Sequence, residues 1–408
     1  MPVPNTTVEI GFDLSSLGGP FFTLDDSVQG VLDNTSFTLG GTLFYDVSQF
    51  LLGVQVNRGK SRELDRFNAG QTSVLLDNRA RTFDPLYTSS PYYGQIVPHR
   101  EIRVKSNGSA VFYGVVDDWN LDYSPTGDNT ASAFASDGFT LLATQSLTAH
   151  TAISQLTGAR VNAVLNRSEV DWPASTRNVE TGAATLQADV VDEGTNVLEY
   201  LQIVEKSEPG SVFIGKDGYF NFQQRTQDIS STAVKLFADD GTGINFNNLQ
   251  VVYGSEQLYN KIVITRLNGT SQTANDTDSQ NQYGISTLDQ DGLLLNTDTA
   301  SAELAAYLLS RYSEPEYRFE ALEIELANLN TAQQNEVLSL ELTDVVRVKF
   351  RPNNIGSSID QYALITGIQH RTNSISHTVT IGLSTLDYAN FILNDNVFGI
   401  LDTSNLGF

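Results

Sequence analysis

Four histidines are the first residues to examine for chemistry: His99, His150, His370 and His377. His99 follows Pro98, His150 stands beside a predicted domain boundary, and His370 and His377 bracket a predicted hairpin. None belongs to an HExxH pattern, and no spacing puts two on one helical face, so they read as turn or surface residues. Carboxylates number 48 against 24 lysines and arginines, so adjacent pairs such as Asp117–Asp118 and Asp239–Asp240 carry little weight. A glycosidase needs two carboxyls about 5–10 Å apart in a cleft, which adjacency in sequence does not supply. The stretch DDGTGINFNN (239–248) lacks the D-x-[DN]-x-[DN]-G calcium pattern and reads as an Asx–Gly turn. There is no GxSxG elbow and no phosphate-binding glycine loop. With no cysteine, thiol nucleophiles, Cys-ligated zinc and disulfide scaffolds are excluded. Trp119 and Trp172 read as packing residues before sugar platforms. The expectation is a protein with no catalytic site, no metal and no cofactor.

A chain of 408 residues exceeds one ordinary core and implies two or three domains. No apolar run of about 18 residues exists, so no integral membrane association is expected. The opening MPVPNTTVEIGF has neither the basic nor the apolar region of a secretory signal. A net charge of −24 argues against general nucleic-acid binding, which needs phosphate-neutralising cations. The basic residues are unevenly placed: between 58 and 105 nine stand against five acids. Such an island suits an acidic partner surface, or else it is a solvated strand face.

The elements that would carry these residues are mostly short strands. Val54–Arg58, Thr72–Asp77, Ile102–Lys105, Phe112–Val116 and Thr130–Ser136 alternate or run apolar between Gly, Asn, Asp and Pro. Helices are expected after Asn196 (VLEYLQIVEK), after Asp298 (TASAELAAYLLSRY), and over Asp137–Thr144. SVFIGKDGYFNFQQR reads as a hairpin turning at KDG. TSQTANDTDSQNQYG (270–284) reads as a mobile polar loop, and about 393–408 as an arm that docks on a neighbour.

The chain also resembles itself. VQVNRG (54–59), TSVLLDN (72–78), EIRVK (101–105), FYGVV (112–116) and ASAFASD (131–137) recur in character and order. Their counterparts are IVITRLNG (262–269), ALEIELANL (321–329), VVRVKF (345–350), YALITGI (362–368) and HTVTIGLS (377–384). The fold class expected is mainly β (α+β), with two related β-barrel or sandwich domains and an inserted α+β middle region. The divisions are 1–145 with an N-terminal arm, 146–245 for the insert, 246–392 for the second β-domain and 393–408 for the arm.

The stretch DNRARTFDPLYTSSPYYG (77–94) lies between strands two and three of the first copy. Pro85 and Pro91 restrict its backbone. Arg79, Arg81 and Asp84 read as ion-pairing residues that lock the loop or dock it on a neighbouring subunit, and Tyr92 and Tyr93 offer contact area. A ligand loop is the other reading. Arg58, Arg62 and Arg66 complete the set of interface candidates.

Residues 56–104, VNRGKSRELDRFNAGQTSVLLDNRARTFDPLYTSSPYYGQIVPHREIRV, resemble the minor tail, or tail-tip (baseplate) hub, proteins of long-tailed bacteriophages. The ordered pieces are RG-x-S-x-E-L-D, F-x-A-G, L-x-N-x-x-R-x-F-D-P, SPYYG and P-x-R/H-R. FYGVVDDWNLDY, FIGKDGYFNF, YGSEQLYNKIVITR and LTDVVRVKF extend the resemblance over most of 20–390. It implies two tail-tube-like domains per chain and a homotrimer presenting six to a sixfold tube. Partners implied are a distal tail protein ring, a tape-measure protein and a tip or fibre protein, with DNA only in transit. The place implied is the virion, assembled in the host cytoplasm. Because the chain stops soon after its second β-domain, wall degradation and receptor binding are expected in other proteins. The alternatives are a carbohydrate-binding tail-tip adhesin, which needs an exposed aromatic shelf near Trp119 or Tyr92, and a tail-tip cell-wall hydrolase.

Overall fold

The computed structural model describes residues 2–12, 43–60, 62, 64–225 and 234–385. The C-terminal arm expected at 393–408 lies outside them. Thirteen strands make one sheet. In chain order they are β1 (Thr6–Phe12), β2 (Leu43–Asp46), β3 (Leu51–Gly59), β4 (Asn68–Asp77), β5 (Glu101–Ser106), β6 (Ser109–Asp122) and β7 (Thr130–Ser136). Then come β8 (Lys235–Ala238), β9 (Asn248–Gly254), β10 (Glu316–Glu325), β11 (Val345–Phe350), β12 (Ile359–Asn373) and β13 (His377–Thr385). The sheet runs β9-β10-β13-β12-β3-β4-β7-β6-β5-β1-β2, with β11 between β12 and β8.

The order β3-β4-β7-β6-β5 is repeated as β9-β10-β13-β12-β11. The copies match in irregularities too: β6 is bulged between Val116 and Asp118, and β12 between Ile365 and Gly367. A bulge bends and over-twists its strand, so the same bend recurs in each unit. Period-two burial explains why one face packs. Val54, Val56, Val74, Leu76, Ala131 and Ala133 point into the core, as do Leu322, Ile324, Ile368, Val379 and Ile381 of the second unit.

One strand of the repeat differs from the expectation. The second unit opens with Asn248–Gly254, and IVITRLNG lies outside the large sheet. Lys261–Arg266 pairs instead with Gln272–Asn275 and Thr287–Leu293 in a three-stranded sheet. Its buried Ile262 and Ile264 pack against Leu304 and Leu308 of a covering helix. Both segments alternate, but the pairing of β9 skips Glu320 of β10 opposite Gln250/Val251 and the burial alternation of β9 breaks there, so residues 262–269 carry the cleaner pattern.

The helices are α1 (Gly138–Thr144), α2 (Thr157–Leu165), α3 (Val197–Ser207), α4 (Thr277–Tyr283), α5 (Asp298–Tyr312) and α6 (Thr331–Ser339). Asp137 and Asn196 cap α1 and α3 by accepting from Phe139 and Glu199 N–H. The cap of α5 is Thr297, one residue earlier than expected, because Asp298 pairs with Arg266 at 2.5 Å. The polar stretch 270–284 is ordered, contrary to the loop expected there. Asp276 caps α4, and buried Ser279 donates to the Ser313 carbonyl, so its polar residues satisfy backbone groups of a packed element.

Candidate assembly surface

The two β-units meet along one seam. Gly367–Asn373 of β12 pairs antiparallel with Gly59–Gly53 of β3. The other half of β12, Ile359–Leu364, pairs with β11, so the bulge at Thr366 divides one strand edge between two partners. Gly59 makes the approach possible. It sits at φ 121°, and a Cβ there would collide with the Gly367 backbone.

Buried polar groups hold the seam from below. Arg58, one of the interface candidates, is 4 % exposed. Its Nη2 donates to the Ile214 carbonyl at 2.9 Å and to Glu341 Oε1 at 2.7 Å. Glu341 Oε2 accepts from the Lys216 backbone N–H, and Lys216 Nζ donates to the carbonyls of Leu338, Ser339 and Leu340. One guanidinium thus ties the first unit, the Ser211–Gln223 hairpin and the second unit together within one chain. Burial lowers the Lys216 pKa. Lys216 was legible only as part of a turn, and Glu341 carried no signal.

His370 and His377 also lie here, so the reading as turn or surface histidines is corrected. Both are buried, with His370 Nδ1 3.1 Å from His377 Nε2 and His377 Nδ1 3.4 Å from Ser106 Oγ. Burial pushes the His377 pKa down to about 4 and that of His370 well below the usual range. Inward-facing positions on two long strands put them in the core, which the turn between them concealed.

The loop from Asn78 to Arg100 is a spiral of turns. The N–H groups of Arg81, Asp84, Tyr87, Ser90 and Tyr93 each donate to the carbonyl three residues earlier. Arg81 pairs with Asp84 at 2.7 Å, and Arg79 with Asp77 at the loop entrance. Asp84 is buried, which alone would raise its pKa, but bonds from Tyr123, the Leu86 N–H and Arg81 hold it below the usual range. Tyr92 packs between Phe12, 4.7 Å away, and Phe83, 5.7 Å away. Phe83 also stacks on Trp119, whose indole donates to the Val97 carbonyl. Tyr92 and Trp119 are therefore packed and form no free shelf, while Tyr93 is half exposed. Arg62 pairs with Glu256 beyond β9, and Arg66 reaches Gln202 of α3. Arg81, Asp84 and Tyr92 are thus brought together in one loop; Arg58, Arg62 and Arg66 link separate elements.

The face opposite the core is polar and crosses the seam. A groove of about 680 Å³ runs over it, lined by Gln55, Asn57, Gln71, Ser73, Gln369 and Thr380. Its charged lining residues are Asp117, Glu323 and Arg371. Among the described residues no three His, Asp or Glu side chains gather as a metal site. Asp117 accepts from Ser136, and Asp240 pairs with Lys349. Trp172 packs on Phe220 and donates to the Thr176 carbonyl. No described helix is long and apolar enough to cross a membrane.

No protein-family model matches the sequence, and no curated protein is significantly similar to it. Solved structures are similar in fold. The 43 kDa tail protein of prophage MuSo2 from Shewanella oneidensis is 13% identical over 85% of this chain and 94% of its own, with a TM-score of 0.57. The tail protein from Neisseria meningitidis MC58 is 11% identical over 94% and 96%, with a TM-score of 0.58. A chain in the lidless PdpA–VgrG complex is 11% identical over 95% and 66%, with a TM-score of 0.50. The fold is that of phage tail proteins, mainly β, with two related β-units and an α+β insert.

Proposed function

We propose that this chain is a structural, non-enzymatic virion protein, a trimeric hub at the distal end of a phage tail. The observation that carries the reading is the repeat: one chain holds two copies of a β-unit, side by side in one sheet. Three chains then present six units, which matches a threefold tip to a sixfold tube by cyclic closure. The polar face shared by both units lines the channel. In the groove there, amides and hydroxyls stand with Asp117 and Glu323 against Arg371. Where the face continues, Lys60, Arg62 and Arg318 are interspersed with Glu256 and Glu320, so DNA phosphates meet mixed charge in passing. The distal tail protein ring sits above, the tape-measure protein within and a tip or fibre protein below. The units 1–145 and 246–392 build the ring, and the insert 146–245 packs on it while lending β8 to the second unit. The loop-locking candidates Arg79, Arg81, Asp84, Tyr92 and Tyr93 shape a surface for a neighbouring subunit.

Mass in solution with negative-stain images tests this. A ring of three chains is expected, and a monomer at high concentration counts against it.

A further inference from the structure

The seam within one chain specifies the seam between chains. Asp117 and Thr366 are the bulged residues of β6 and β12, so Asp118–Asp122 corresponds by position to Gly367–Arg371, which lies in the half of β12 that β3 covers. Beyond Val116, the backbone of Asp118–Asp122 bonds, among the described residues, to β7 alone. The counterpart of β3 in the second unit is β9, and β9 pairs with β10 alone among the described residues. One chain therefore has one filled junction of the type β12–β3 and the two unfilled halves of another.

We infer that the Asp118–Asp122 edge of β6 pairs antiparallel with β9 of a second copy of this chain. This rests on the ring reading proposed above and names its interface. Carrying the register of Arg371↔Gln55 and His370↔Val56 across the repeat sets Asp122 opposite Gln250 and Leu121 opposite Val251. The chemistry of these pairs agrees. Leu121 and Val251 are half-buried and packed against the core, so pairing closes an apolar contact on that side. Asp122 and Gln250 are exposed, and a carboxylate meets an amide there without like-charge repulsion. The junction extends this face from chain to chain, and with three copies each free edge of β6 and of β9 is paired.

The chain has no cysteine, which makes the test clean. Asp122→Cys and Gln250→Cys, singly and together, are made in the full chain and oxidised. Directly opposed strand residues have Cβ atoms about 4.5–5.5 Å apart, near enough to a disulfide for small adjustments to close it. The double variant is expected to run as covalent trimer on a denaturing gel, at least tenfold above either single variant, and to return to monomer on reduction. Both sites are exposed, so melting of the reduced proteins should match the parent. A trimer by mass that gives no cross-link above the single variants overturns this seam and leaves the ring reading standing. A chain that neither assembles nor cross-links overturns both.

Discussion

His99 and Thr343 hold the same post in the two β-units. Each has a left-handed backbone, φ 62° and 71°, and each donates its N–H to the carbonyl of the residue before a bulge, Val116 at 2.7 Å and Ile365 at 2.8 Å. Histidine tolerates this region better than a β-branched residue does, so the strain falls on Thr343. Thr343→Asn should stabilise the chain by about 1 kcal/mol, read from the denaturant midpoint. His99→Asn should change it much less. Equal effects at both sites would show that backbone strain is not what distinguishes them.

Arg58 should be costly to remove by itself. Arg58→Leu leaves Glu341 without its cation and the Ile214 carbonyl without its donor, at a cost of about 3 kcal/mol. The Glu341 side chain is 24% exposed, which places the loss at the low end for a buried pair. Arg58→Leu with Glu341→Leu should recover part of it, because the carboxylate that lost its guanidinium is removed with it. A double variant as unstable as the sum of the single ones would mean the two side chains do not act as a pair.

Most of this fold was legible because strand period and turn chemistry are local. The Asn196 cap, the short helix that follows Asp137, the KDG hairpin and the strands β3 to β7 needed only neighbouring residues. What was missed depends on distant partners. Asn248–Gly254 becomes a strand of the repeat only when β10 pairs with it, and 270–284 orders only when Ser279 reaches Ser313. The interface candidates share the same limit. Arg58 was visible as a cation in a strand, but its partners stand 156 and 283 residues away. The edges of β6 and β9 that no described residue covers have no sequence mark at all, since an unpaired strand and a paired one alternate alike.

The histidine pair should set the acid limit of stability, against an opposing carboxylate. His377 titrates near 4 in the fold and near 6.5 unfolded, because burial disfavours its cation. Between those values the unfolded chain binds more protons, so the stability it contributes is lost as pH falls from about 6.5 to 4. His370, faced by His377, Arg58 and Lys216, acts in the same direction. Asp137 runs the other way. Burial raises its pKa to about 7 despite bonds from the Phe139 and Gly70 N–H groups, so its contribution is present at low pH and lost as pH rises toward 7. The difference in unfolding free energy between the parent and His377→Asn should therefore grow with pH from 4 to 6.5, with a slope of at most about 1.4 kcal/mol per unit for each proton. The difference between the parent and Asp137→Asn, which keeps the cap, should shrink over the same range. Denaturant titrations at half-unit pH intervals measure both, and a pH-independent difference for either variant would remove that group from the account.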